Sequence, residues 1–144
     1  MLKNVRHTGI VVQNLEASRS FYTALGFEVV SSDVEEGAFI ESVTGLRNVK
    51  LEWIKMRSSC GFLLELLKYH SHDLAPSEIP ANVNKHGCSH IAFTVENASM
   101  FLEKVCQLGG YMINPPAINP TGQVKVAYCH DPEGVLLEIV EELV

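Results

Sequence analysis

His7-Thr-Gly-Ile-Val-Val-Gln-Asn14 is written again, 83 residues later, as His90-Ile-Ala-Phe-Thr-Val-Glu-Asn97. Asn follows His by seven residues in both stretches, and a Leu-Gly pair follows in each, as Leu25-Gly26 and Leu108-Gly109, beginning 18 residues after the His. The copies also close alike, on Gly61-Phe-Leu-Leu-Glu65 and Gly134-Val-Leu-Leu-Glu138. Self-similarity of this kind means one supersecondary unit used twice. The repeats run over 5–69 and 86–141 of a single 144-residue domain, and a polar linker with Pro76 and Pro80 covers roughly 70–85.

Each copy reads as a strand, a helix and three further strands. The first strand, 5–12, is rich in β-branched residues. Asn14 is placed to cap the helix that follows, with Glu16 in its first turn. Leu15, Phe21, Tyr22 and Leu25 recur at helical spacing, and Gly26 fits the left-handed position just past the helix end. The next strands of this copy are expected at 27–31, 49–56 and 62–69. In the second copy the expected order is 89–95, helix 98–108, then 111–113, 124–129 and 135–140, with Asp131-Pro-Glu-Gly134 as a turn. His and Glu lie 58 residues apart in the first copy and 48 in the second. The excess is expected as a loop insertion around 41–50.

Side chains alternate faces along a strand, so His7 shares a face with Gly9 and Val11, and His90 with Ala92 and Thr94. Small neighbours leave room beside each ring. Glu65 and Glu138 interrupt apolar runs, where an unpaired buried carboxylate costs several kcal/mol. A divalent cation offsets that cost. If the copies pack about a pseudo-two-fold axis, His7, Glu65, His90 and Glu138 converge as ligands of one ion. Imidazole and carboxylate suit Zn, Ni, Co, Mn or Fe(II) rather than Cu(I). Four protein ligands on an ion that accepts six leave two positions for substrate. His70 and His72 read as loop residues, and His86 and His130 as structural histidines, though His130 is near enough to Glu138 in sequence to line the same cavity.

Composition narrows the partners. Net charge is −6 with 11 scattered Lys and Arg, which argues against nucleic acid. No run is apolar and long enough to span a membrane, and the N-terminus lacks the pattern of a secretory signal. Cys60, Cys88, Cys106 and Cys129 form no Cys-x-x-Cys pair, so reduced, mostly buried thiols and a cytoplasmic location are expected.

The same residues carry a resemblance. His7-Thr-Gly-Ile-Val-Val with Ser20-Phe-Tyr22 and Leu25-Gly26-Phe27 is similar to the opening of glyoxalase I and its relatives. His90-Ile-Ala-Phe-Thr-Val and Asp131-Pro-Glu-Gly134-Val-Leu-Leu-Glu138 resemble their second half. The resemblance, to the glyoxalase/bleomycin resistance/extradiol dioxygenase (vicinal oxygen chelate) superfamily, covers nearly the whole chain. It implies an α+β fold in which two βαβββ modules form a half-barrel of mixed strands, with helices outside, around one divalent metal. It further implies a small-molecule substrate and a homodimer, with the site built in one chain or across two. Family chemistry is that of a metal-dependent lyase or isomerase, which stabilises an enediolate or enolate of a small oxygenated carbonyl compound. By this resemblance Glu138 or Glu65 is the catalytic base.

Several positions depart from particular branches. Val11 stands where glyoxalase I has an Arg for glutathione, and Tyr69 where it has an Asn, which argues against a glutathione hemithioacetal. Methylmalonyl-CoA epimerase has Gln in place of Glu65 and His-His in place of Ser89-His90, and its early catalytic Glu aligns loosely with Glu41. Part of the extradiol dioxygenase signature is present as Tyr128-x-x-Asp131-Pro-x-Gly134-x-x-x-Glu138, which makes a ring-cleaving dioxygenase the alternative reading. A non-catalytic drug-binding protein comes third, because such binders lack the four-ligand set.

Overall fold

The computed structural model describes all 144 residues, Met1–Val144. It divides between Ala75 and Pro76 into two compact units, with the first repeat inside one and the second inside the other.

The first unit runs β1 (Thr8–Val11), α1 (Leu15–Ala24), β2 (Glu28–Glu36), α2 (Ala38–Thr44), β3 (Lys50–Arg57) and β4 (Leu63–Tyr69). Its sheet is ordered β1-β4-β3-β2, with β1 parallel to β4 and the other neighbours antiparallel. The helix α1 begins where the sequence places it. The Asn14 side chain accepts from the Ala17 N–H at 3.0 Å, satisfying a donor that the first turn leaves without a partner. At the far end Gly26 takes φ +102, a conformation costly for any residue with a Cβ. On the α1 side of the sheet Ile10, Val12, Ile54, Met56, Leu64 and Leu66 are buried, as are Leu15, Phe21 and Tyr22 of the helix itself. Phe21, Tyr22, Phe27 and Phe62 continue this core as a chain of edge-to-face rings.

The second unit repeats the plan as β5 (Ile91–Thr94), α3 (Ala98–Gln107), β6 (Tyr111–Met112), β7 (Ala117–Ile118), β8 (Val124–His130) and β9 (Leu136–Glu142). Its sheet is ordered β5-β9-β8-β6, with β5 parallel to β9 and β7 also paired to β8. Asn97 caps α3 as Asn14 caps α1, accepting from the Met100 N–H at 2.9 Å. Asp131 closes the expected turn: its Oδ1 accepts from the Glu133 and Val135 N–H groups, each at 2.9 Å. Gly134 ends that turn at φ +86, where a Cβ would lie 2.6 Å from Ile79 and 3.0 Å from the Pro80 backbone. Neither sheet closes on itself, so the fold is α+β with two mixed, open sheets of the βαβββ kind.

Three expectations need correction. The inserted stretch is not all loop: residues 38–44 form α2, and only 45–49 are irregular. This helix is not on the α1 side. Its Ile40 packs with Val49, Leu51, Trp53, Leu67 and Tyr69, which belong to the opposite face of the sheet. The first strand starts at Thr8 instead of residue 5, its ladder with β4 beginning at the Thr8–Leu64 pair. All four cysteines are free thiols, but only Cys129 is buried.

Candidate metal centre

β4 carries Leu64, Glu65 and Leu66 in succession. The two leucines are fully buried toward α1, so alternation sends Glu65 to the other face. Gly9 of β1 lies opposite Glu65 in the ladder, and His7, two residues earlier, projects to the same side. There His7 Nε2 is 3.0 Å from Glu65 Oε2. The second unit builds the same arrangement from Leu137, Glu138 and Ile139 of β9 beside Ala92 of β5. His90 Nε2 is 3.3 Å from Glu138 Oε2. Both histidines sit one residue before their strand's first ladder position, not within it.

Each unit therefore brings together one His and one Glu of the predicted four. Neither unit gathers three or more His, Cys, Asp or Glu side chains within reach of one metal ion. Beside the pairs, Gly9 and Val11 are exposed next to His7, and Ala92 and Thr94 next to His90, while α2 covers the far part of the first face over Leu67 and Tyr69. The donor set suits a divalent cation. Metal–ligand bonds of about 2.1 Å at angles between octahedral and tetrahedral put neighbouring donors about 3.0–3.4 Å apart. The two N–O separations lie at 3.0 and 3.3 Å.

The surroundings of the two pairs differ. Glu65 is the more enclosed carboxylate, its side chain 13% exposed, and its second oxygen faces Lys55 Nζ at 3.5 Å. Lys55 lies directly across the β3–β4 ladder from Glu65 and rests over the Trp53 ring, 4.3 Å from its centroid. Glu138 instead faces Tyr128 across the β8–β9 ladder. Burial raises the Tyr128 phenol above its ordinary value, and the charge of Glu138 and a hydrogen bond to it push the same way. The Tyr128 ring also meets His90 edge-on at 5.2 Å. His90 Nδ1 is 2.6 Å from Ser89 Oγ, whereas His7 Nδ1 is buried without a partner.

Lys55 and Ser89 were absent from the sequence-derived site, though a signal for Lys55 existed. It precedes Glu65 by ten residues, and Tyr128 precedes Glu138 by ten. The remaining histidines are elsewhere. His70 pairs with Glu52 at 2.7 Å and His72 with Ser71, and His86 is exposed. His130 does not line an open cavity. It is buried against Tyr111, with Nε2 2.7 Å from the Ala81 carbonyl. Glu41 is a structural acceptor for the Asn48 N–H at 2.7 Å. Of the two positions that set this chain apart from glyoxalase I, Val11 is 46% exposed on the His7 face, and Tyr69 is packed against the Ile40 cluster.

A family model described as Glyoxalase/Bleomycin resistance protein/Dioxygenase superfamily matches residues 4–139. No curated protein matches the chain. Among solved structures, a glyoxalase family protein from Bacillus cereus is 24% identical, with all of this chain and 97% of that one covered, at a TM-score of 0.92. A glyoxalase I variant from Zea mays is 18% identical over 95% of this chain and 46% of that one, at 0.65. The fosfomycin resistance protein FosX from Listeria monocytogenes, solved with Mn(II) and sulfate, is 15% identical over 100% and 96% of the two chains, at 0.62. At these identities the structural likenesses speak for the fold, and the family match speaks for descent: the chain belongs to the glyoxalase/bleomycin resistance protein/dioxygenase superfamily.

Proposed function

We propose that His7, Glu65, His90 and Glu138 complete one divalent-metal centre, within one chain or across two copies in a homodimer, and that the protein is a metal-dependent lyase or isomerase acting on a small oxygenated carbonyl compound. The observation that carries this reading is the matched geometry of the two His–Glu pairs, each on the sheet face away from its unit's long helix and at a separation two ligands of one ion adopt. A bound divalent ion there supplies Lewis acidity toward neighbouring substrate oxygens.

The chain's own residues do the rest. Ser89 holds the His90 ring by Nδ1, which leaves Nε2 to face the centre. Glu138 and Glu65 are the two carboxylates able to take a proton from carbon beside the substrate carbonyl. Glu138 is the less enclosed, with its side chain 24% exposed against 13% for Glu65, and Tyr128 can return a hydrogen bond to it. Val11 offers an apolar surface where glyoxalase I has an Arg for the glutathione carboxylate, which argues against a glutathione adduct.

The FosX likeness and the family match agree with metal dependence, and the extradiol-like run from Tyr128 to Glu138 keeps a ring-cleaving dioxygenase as the second reading. The test supplies metal-loaded protein with 2-oxo, 2-hydroxy and acyl-thioester compounds in deuterated water, and with catechols under an oxygen electrode. Solvent deuterium entering carbon beside the carbonyl, lost in Glu138→Gln, is the expected result. Oxygen uptake with catechols and no exchange would replace it with the dioxygenase.

A further inference from the structure

We propose that Lys55 is a built-in competitor of the metal: before an ion binds, its ammonium neutralises Glu65, and by holding that carboxylate it lowers the affinity of the centre and keeps its ion exchangeable. The inference rests on the metal reading above.

The pair is close and sheltered. Lys55 and Glu65 lie opposite each other in the β3–β4 ladder, Nζ is 3.5 Å from Oε1, and the two side chains are 27% and 13% exposed. Oε2 of the same carboxylate faces His7 Nε2 at 3.0 Å. One carboxylate therefore separates the ammonium from an ion that Glu65 and His7 would share. Two cations that close repel each other, more strongly on a partly desolvated face than in open water. A metal gains Glu65 only by weakening a pair that already compensates it. Without Lys55 the metal-free protein would hold an enclosed carboxylate with no fixed cation beside it, a costly state that metal binding would relieve. Removing the ammonium should then tighten the metal, not loosen it.

The ammonium has a second resting place on the same face. It lies over the Trp53 ring, 4.3 Å from the centroid, and that ring is fixed from β2 by donating its indole N–H to Glu35 at 3.0 Å. Asp33 stands directly opposite Trp53 in the β2–β3 ladder, so it is diagonally across from Lys55, within reach of a side chain of that length. When a metal takes Glu65, Lys55 can stay against Trp53 and these two carboxylates instead of moving into solvent.

The second unit lacks the device. Tyr128, a neutral donor, stands opposite Glu138 where Lys55 stands opposite Glu65. Either side chain can offer a hydrogen bond to a carboxylate, but only the lysine adds a positive charge that opposes a cation.

Equilibrium dialysis against Co(II) tests the idea on wild type, Lys55→Met, Lys55→Gln, Lys55→Arg and Tyr128→Phe. Both neutral lysine variants are expected to bind Co(II) about tenfold more tightly than wild type, the scale on which neighbours of metal ligands act but with the opposite sign. Either one decides the question if the other does not fold. Lys55→Arg keeps the charge and stays near the wild-type affinity, and Tyr128→Phe gains nothing. Unchanged affinity in the neutral variants overturns the inference. Weaker binding in them overturns it too, since that marks Lys55 as a support that orients Glu65. So does a gain in Tyr128→Phe as large as in Lys55→Met, because the loss of any neighbour would then suffice. Absence of Co(II) binding in wild type and in every variant refutes the metal centre itself, and the inference falls with it, an outcome distinct from the others.

Discussion

His7 and His90 occupy equivalent places in the repeat, yet their far ring nitrogens differ: His90 Nδ1 is tied to Ser89, and His7 Nδ1 is buried without a partner. A ring fixed at one nitrogen presents the other at a set angle, and removing such support commonly costs 10–100-fold in metal affinity. Ser89→Ala is therefore expected to weaken metal binding by about tenfold without unfolding the protein, as a calorimetric titration would show. An unchanged affinity would leave Ser89 as packing only. The thiols give a second prediction. Burial pushes the Cys129 thiol up to about 12, whereas the Ser58 hydroxyl holds exposed Cys60 below its usual value. A disulfide-exchange reagent at neutral pH should label Cys60, Cys88 and Cys106, with Cys60 first, and reach Cys129 only on unfolding. Four fast thiols would contradict the packing of β8.

The helices and strands show why the residues arrive where they do. Asn14 and Asn97 each close a helix N-terminus, and Asn→Ala at either position should cost about 1 kcal/mol in denaturant unfolding. Glu141 ties β9 to α3: its carboxylate accepts from the Ala98 N–H at 2.8 Å and meets Lys125 at 3.2 Å. The Ala98 bond, then Lys125, holds that carboxyl below its ordinary value. A depressed pKa contributes stability above the unfolded value and loses it as pH falls through the folded one. Glu141→Gln should therefore destabilise the protein at neutral pH, and the difference from wild type should vanish once both are below the carboxylate range. A deficit that persisted in acid would point to lost packing instead.

At this scale the sequence was most legible where its two copies agreed. The Asn caps and the Leu-Gly pairs recur at fixed spacing from the His, and Gly-x-Leu-Leu-Glu closes both copies. The helix α2 was not legible, since it exists in one copy only, spans two turns, buries Ile40 alone and starts from a glycine at φ +93. Seven residues are too few for a helical period to declare itself. Lys55 was hidden differently. It lies across a ladder from its partner, and sequence spacing reveals that neighbour only once the register is known.

Each of the two units carries its own His–Glu pair, and the proposal that the pairs share one ion is what a measurement on the whole molecule must decide. No helix is long and apolar enough to cross a membrane. If folded protein alone presents the centre, metal at a hundred times its dissociation constant adds about 2.7 kcal/mol of stability. That corresponds to a rise of about 5–10 °C in Tm for a chain of this size. The most direct test of the central claim is equilibrium dialysis against Co(II) for wild type and for His7→Ala, Glu65→Gln, His90→Ala and Glu138→Gln. The account predicts one ion per chain in wild type and a large loss of affinity in all four variants. Full affinity in the His7 and Glu65 variants, with loss only in the His90 and Glu138 variants, or the reverse, would show that the two pairs do not share an ion.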